Sequence, residues 1–200
     1  IDKIAKVAKD FGLGKTYNIY LDNQKLGIVP SKSWKKEKLG ESWYPGETLI
    51  SAIGQGFVLA NPLQLATMTA IIAADGDIVE PKIIKDGVKT NFENLKKYNA
   101  AIKIIKKSMF KAVNETKGTA FKSKSEEIKF SGKTGTSQVR RITVAERESE
   151  DFRKKEVEWK MRDHALFVGY MPHDKPKYAI SVVIEHGGSG ASTAAPIAKK

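Results

Sequence analysis

Two runs of alternating apolar residues, HALFVGYM (His164 to Met171) and YAISVVIE (Tyr178 to Glu185), lie close together and constrain the fold more than any other feature. Successive strand side chains face opposite sides. Tyr178, Ile180, Val182 and Ile184 therefore share one face, with Ala179, Ser181 and Val183 on the other. The connecting MPHDKP is short enough for a hairpin, which makes the two strands antiparallel. Ile128 to Val139 reads as a further strand, so the last third of the sequence predicts a sheet, and ASTAAPIAKK opens a closing helix after it.

The first half reads differently. Ile4, Val7, Ala8 and Phe11 recur at helical spacing before Gly12 and Gly14. Residues 17 to 45 read as a long irregular connection, basic around isolated apolar residues. Pro45 and Gly46 mark a turn, and Glu47 to Ile53 predicts a short helix before the glycines of IGQGF. PLQLATMTAIIAADG places proline at a first helical position and is apolar nearly all round, which predicts a buried helix from Pro62 ending near Gly76. Ile102, Ile105, Met109, Phe110 and Val113 form the stripe of another amphipathic helix. The fold class is mixed α/β (α+β), a central antiparallel sheet covered by helices. No repeat divides the chain.

At 200 residues, with 40% hydrophobic residues, the chain suffices for one substantial core. Its net charge of +12 favours an anionic neighbour without choosing one. No nucleic-acid motif accompanies the charge, so no specific nucleic-acid partner is expected. The lack of cysteine excludes disulfides, thiolate catalysis and zinc-thiolate sites. His164, His173 and His186 have no zinc spacing: His164 is read at a strand start, His173 in an exposed turn and His186 at a strand end. No apolar run is long enough to span a bilayer. Ile1 is not an initiator methionine, so residues before it are expected. Arg140 to Asp163, dense in both signs, reads as a solvated excursion between strands.

SGKTGTSQV, Ser131 to Val139, holds the densest chemistry. A phosphate loop needs GxxxxGKS or GxxxxGKT leading into a helix, whereas Lys133 precedes Thr134 and Gly135, and strand-like residues follow. The segment suits acyl transfer better: a lysine supplies positive charge, hydroxyls bind a carboxylate, and a backbone N–H faces a developing oxyanion. That chemistry needs a nucleophile. Ser33 with Lys36, and Ser108 with Lys111, satisfy a loose SxxK spacing that arises readily by chance. Ser33 lies in the irregular connection and Ser108 within the striped helix.

WYPGETLISAIGQGFVLANPLQLATMTAIIAADG, then SGKTGTSQV, then HALFVGYMPHDKPKYAISVVIEHGGSGASTAAPIAKK, resembles the C-terminal part of the transpeptidase domain of class B penicillin-binding proteins, closest to the elongation-specific branch. The resemblance implies a penicillin-binding transpeptidase or serine β-lactamase-like fold, with residues 1–200 forming the C-terminal portion of that domain. It implies a peptidoglycan D,D-transpeptidase that crosslinks stem peptides through a serine acyl-enzyme and is acylated by β-lactam antibiotics, without metal or organic cofactor. Of the family's three motifs, SxxK, SxN and KTG, this sequence shows the third. The nucleophile is therefore expected upstream of Ile1, and residues 1–200 alone are expected to be inactive.

Carried onto matching positions, Lys133 assists acylation electrostatically. Thr134 and Thr136 contact the substrate carboxylate, the Thr136 N–H contributes to the oxyanion hole, and Gly135 leaves room for the peptide. The glycines of IGQG, Gly54 and Gly56, are expected to allow a tight approach beside the buried helix, with a role near the substrate as the alternative reading, and Gly187, Gly188 and Gly190 a turn into the closing helix. Trp43 and Tyr44 are expected to pack a turn. The resemblance also implies an upstream module and membrane anchor, catalysis on the outer side of the bacterial cytoplasmic membrane, and as partners the upstream part of the same protein, morphogenesis proteins and a glycosyltransferase. Residues 17 to 42 and 140 to 163 are candidate contacts for them. The rival readings are a noncatalytic peptidoglycan-binding or scaffold module and a D,D-carboxypeptidase.

Overall fold

The computed structural model describes residues 1–84, 94–140 and 157–200. The two alternating runs form β2 (His164–Met171) and β3 (Tyr178–Ile184), paired antiparallel with Phe167 opposite Val182. β1 (Ser131–Ser137) pairs antiparallel with β2, placing Lys133 opposite Val168 and Thr136 opposite Ala165. The sheet order is β1-β2-β3, so β1 is an edge strand. It is shorter than the expected Ile128–Val139. At its start the Lys129 carbonyl accepts from His173 N instead of a strand neighbour, and at its end Val139 N donates to the Asp163 carboxylate. Most of the expected excursion from 140 to 163 lies outside the described residues.

Period-two alternation sorts the sheet into two cores. One face buries Ala165, Phe167 and Val182 against Val113, Phe130 and the closing helix α6 (Ala195–Lys199) through Ala194, Ala195 and Ala198. The other buries Tyr170 against α4 (Pro62–Ala73) and α5 (Asn99–Asn114), with Ile71, Ile72, Ile102 and Met109. At about 25 cal/mol per Å2 of apolar area removed from water, these interiors supply the main favourable contribution to folding. α4 begins as its sequence predicts: Pro62 occupies the first turn, and Asn61 and Gln64 cap each other's backbone N–H groups. Gln64 is also a fully buried pin, its Nε2 donating to the carbonyls of Lys15 and Leu26. α1 (Asp2–Asp10) is held through Asp10, which accepts from Lys97 and the Tyr98 hydroxyl at 2.8 Å each.

The expected irregular connection contains a helix. In α2 (Lys32–Leu39), the Ser31 hydroxyl accepts from Trp34 N, and Gly40 closes the helix at φ 72°. α3 (Pro45–Ala52) follows and supplies Glu47. The two helices join around a buried lysine: Lys35, 1% exposed, sits 2.6 Å from Glu47 and 3.2 Å from Glu41, with its Nζ over the rings of Tyr44 and Phe57. Trp43 packs here too, near Phe57, and donates to Thr48 Oγ1. Trp43 has the expected packing role, whereas Tyr44 is largely exposed and contributes its ring to Lys35.

The hydrogen bond from Lys35, followed by one from Tyr44 N, holds the Glu47 carboxyl below its ordinary 4.5. A lowered carboxyl contributes stability above its unfolded value and loses it as pH falls through the folded one. Glu47→Gln is therefore expected to lower the urea midpoint of the intact protein at neutral pH, with the gap to the unaltered protein narrowing as pH falls below 4.5 and closing once it passes the lowered folded value. A gap independent of pH would show that the pairing with Lys35 contributes nothing.

Candidate active site

In an antiparallel ladder, the N–H and C=O of one residue point the same way, alternately toward the neighbouring strand and away from it. On β1, Lys133 Nζ donates to the Thr134 carbonyl at 2.5 Å, and Gln55 Nε2 donates to the Thr136 carbonyl at 3.0 Å. Both carbonyls point off the open edge, so the N–H groups of Thr134 and Thr136 do as well. The edge therefore presents alternating donors and acceptors to an extended ligand, the geometry by which a peptide adds a strand to a sheet.

Side chains on β1 divide by register. Lys133, opposite Val168, faces α4 and α5, where it borders an open apolar cavity of about 590 Å3 walled by Met68, Ile72, Ile105 and Met109. Thr134 and Thr136 share the other face, opposite Phe167 and Ala165. Thr134 Oγ1 donates to Thr119 Oγ1 at 3.1 Å, while Thr136 and Lys133 are exposed. At Gly135 an added Cβ would stand 3.2 Å from Leu166 Cβ, so glycine there also relieves crowding within the sheet.

The root of the strand is fixed on several sides. Asn114 Nδ2, at the end of α5, donates to the Phe130 carbonyl. Ser131, fully buried, has its hydroxyl 2.7 Å from His173 Nδ1. His173 was expected in an exposed turn; it is half-buried, its ring 4.5 Å from that of Phe110 and stacked on Tyr170. Burial holds the Tyr170 hydroxyl above its ordinary 10.0, keeping it neutral beside this pair. His164 begins β2 as expected, and its Nδ1 accepts from the backbone N of His186, just beyond β3.

Neither candidate serine meets its lysine. Ser33, the second residue of α2 rather than part of an irregular segment, has its hydroxyl 3.0 Å from Ser31 Oγ, while Lys36 Nζ donates to the Gly40 carbonyl. Ser108 Oγ donates to the Ile104 carbonyl, and Lys111 pairs with Glu115. Lysine activation of either hydroxyl is missing from both pairs.

Gln55 is the residue that sequence reasoning passed over. Gly54 and Gly56 were expected to serve a close approach beside α4. Instead both take positive φ, 74° and 71°; a Cβ on Gly54 would meet nothing, and one on Gly56 would meet Ile50 of α3. The turn they form carries the Gln55 amide to β1. A glycine pair flanking an amide was the available signal.

The model of the penicillin binding protein transpeptidase domain matches residues 1–200. This chain belongs to the penicillin-binding protein transpeptidase family. It is 32% identical to the peptidoglycan D,D-transpeptidase MrdA of Haemophilus influenzae, over all of this chain and 32% of that protein. Among solved structures it resembles PBP2 of Helicobacter pylori in complex with MreC, at a TM-score of 0.84 and 30% identity over 98% of this chain and 34% of that one. Pseudomonas aeruginosa PBP2 in complex with WCK 5153 gives 0.82 and 33% over all of this chain and 42% of that one. The chain thus spans about a third of the length of the curated relatives it matches. Its mixed α/β architecture with an antiparallel sheet is that of these penicillin-binding relatives.

Proposed function

We propose that this chain supplies the KTG wall of a serine D,D-transpeptidase that crosslinks peptidoglycan stem peptides. The observation that carries the reading is the open edge of β1, where Thr136 turns its N–H outward beside the exposed Lys133 and the hydroxyls of Thr134 and Thr136. A serine from a segment outside residues 1–200, upstream, attacks the penultimate D-alanine carbonyl and expels the terminal D-alanine. A neighbouring stem-peptide amine then takes the acyl group and frees the serine. Lys133 and the Thr136 N–H stabilise the charge that grows on the carbonyl oxygen, while Thr134 and Thr136 hold the ligand carboxylate. A β-lactam follows the first stage and stops there.

Relatives bear the names MrdA and PBP2, one is solved with MreC and another in a peptidoglycan synthase complex of polymerization and crosslinking, which supports the proposal that the intact protein acts in cell elongation beside a MreC-like morphogenesis partner and a glycosyltransferase. Its proposed location is the outer side of the cytoplasmic membrane. Among the described residues no helix is long and apolar enough to cross a membrane.

The test is covalent labelling of the intact protein with a fluorescent penicillin, with the adduct located by mass spectrometry. One adduct is expected, on a serine outside residues 1–200. An adduct on Ser33 or Ser108 would overturn the placement of the nucleophile, and absence of any adduct on folded protein would favour a noncatalytic binding module.

A further inference from the structure

Resting on that reading, we propose that Gln55 is a specificity-determining residue whose carboxamide stands in at the Thr136 carbonyl for a ligand's own amide N–H. The Gln55 Nε2 donates to this carbonyl at 3.0 Å across a sequence separation of 81. The acceptor lies on the unpaired edge of β1, where an extended ligand would place its backbone N–H. An amide donor from the protein thus occupies the position that the ligand's amide must reach.

The turn that carries Gln55 is fixed at its backbone, and it is the side chain that can withdraw. Its flanking glycines both hold positive φ, and around Gly54 the space is open. Gln55 is half-buried, its backbone N returning to the Ile50 carbonyl; among the described residues, the bond to Thr136 is its side chain's hydrogen bond. The amide can therefore leave by side-chain rotation while the turn stays anchored on α3. A ligand with a correctly placed N–H replaces the lost bond; one without it leaves Gln55 in place and gains nothing from its removal. The contact thus sets selectivity between ligands, whereas Lys133 and the Thr136 N–H serve both kinds.

The experiment compares the intact protein with Gln55→Met, which keeps side-chain length and removes the donor, and with Gln55→Ala. Second-order acylation rates are measured with benzylpenicillin, whose side chain carries an amide N–H, and with a carbapenem, which has no such amide. Removing a competing hydrogen bond is expected to speed benzylpenicillin about 3- to 10-fold in both variants, with the carbapenem rate within about twofold of its starting value. Equal slowing of both ligands would make Gln55 a clamp that shapes β1, and unchanged rates would make the contact idle; either overturns the proposal. Failure of the unaltered protein to take either label would remove the transpeptidase reading itself, a result separable from these.

Discussion

Thr136→Pro is expected to reduce acylation of the intact protein by a penicillin about 100- to 1,000-fold while leaving the fold in place, the loss typical of removing one oxyanion donor. Proline lacks an N–H and in most strand positions would break the ladder. Here the Thr136 carbonyl points off the open edge toward Gln55, so its N–H does too and donates nothing to β2. The preceding residue, Gly135, is already within an extended strand, the conformation that proline imposes on its predecessor. Thr136→Ala retains the N–H and loses the hydroxyl and the γ-methyl, so its rate should fall much less. Rates by fluorescent-penicillin labelling, with thermal unfolding of each variant alongside, separate the effects. A Thr136→Pro protein that is folded and labelled at nearly the original rate would show that the oxyanion is stabilised elsewhere.

What the sequence disclosed depended on whether a local pattern matched the physical environment. β2 and β3 were legible because their apolar residues face the interiors their periodicity implies, and α4 because its leading proline and all-round apolar run suit a buried helix. α2 was hidden because its buried position is Lys35, whose ammonium is satisfied by glutamates and aromatic rings, so a pattern that counts lysine as polar finds no inward face. The capping pair Ser31 and Gly40 was the surviving signal. The lysine and threonines of β1 were readable as chemistry, but their edge position needed the strand order. Gln55 and His173 were out of reach for a different reason. Each meets β1 through a contact between residues far apart in sequence, at Thr136 and Ser131, and no periodicity encodes such a pairing.

Gly190→Ala should be a strongly damaging single-methyl change near the site. The glycine begins the π-type turn Gly190–Ala194 that leads into α6, and an added Cβ would lie 2.3 Å from both the Gly135 and Leu166 carbonyl oxygens. Those two residues are paired across β1 and β2, so neither backbone can yield without moving the other. The turn must lift instead, loosening Ala194, Ala195 and Ala198 from Phe167. Overpacking against a rigid neighbour costs about 1–3 kcal/mol, and contact with two paired backbone oxygens places this change at the upper end. Gly188→Ala provides the contrast: it adds left-handed strain at φ 77°, but its Cβ meets nothing. Urea unfolding of the two variants should rank Gly190→Ala as clearly less stable. Its penicillin acylation should also be slower, because the displaced turn bears on the residue next to Thr136, while Gly188→Ala should keep its rate. If the two variants unfold at the same midpoint, the closing turn is not seated on Gly135, and the strand's geometry owes nothing to it.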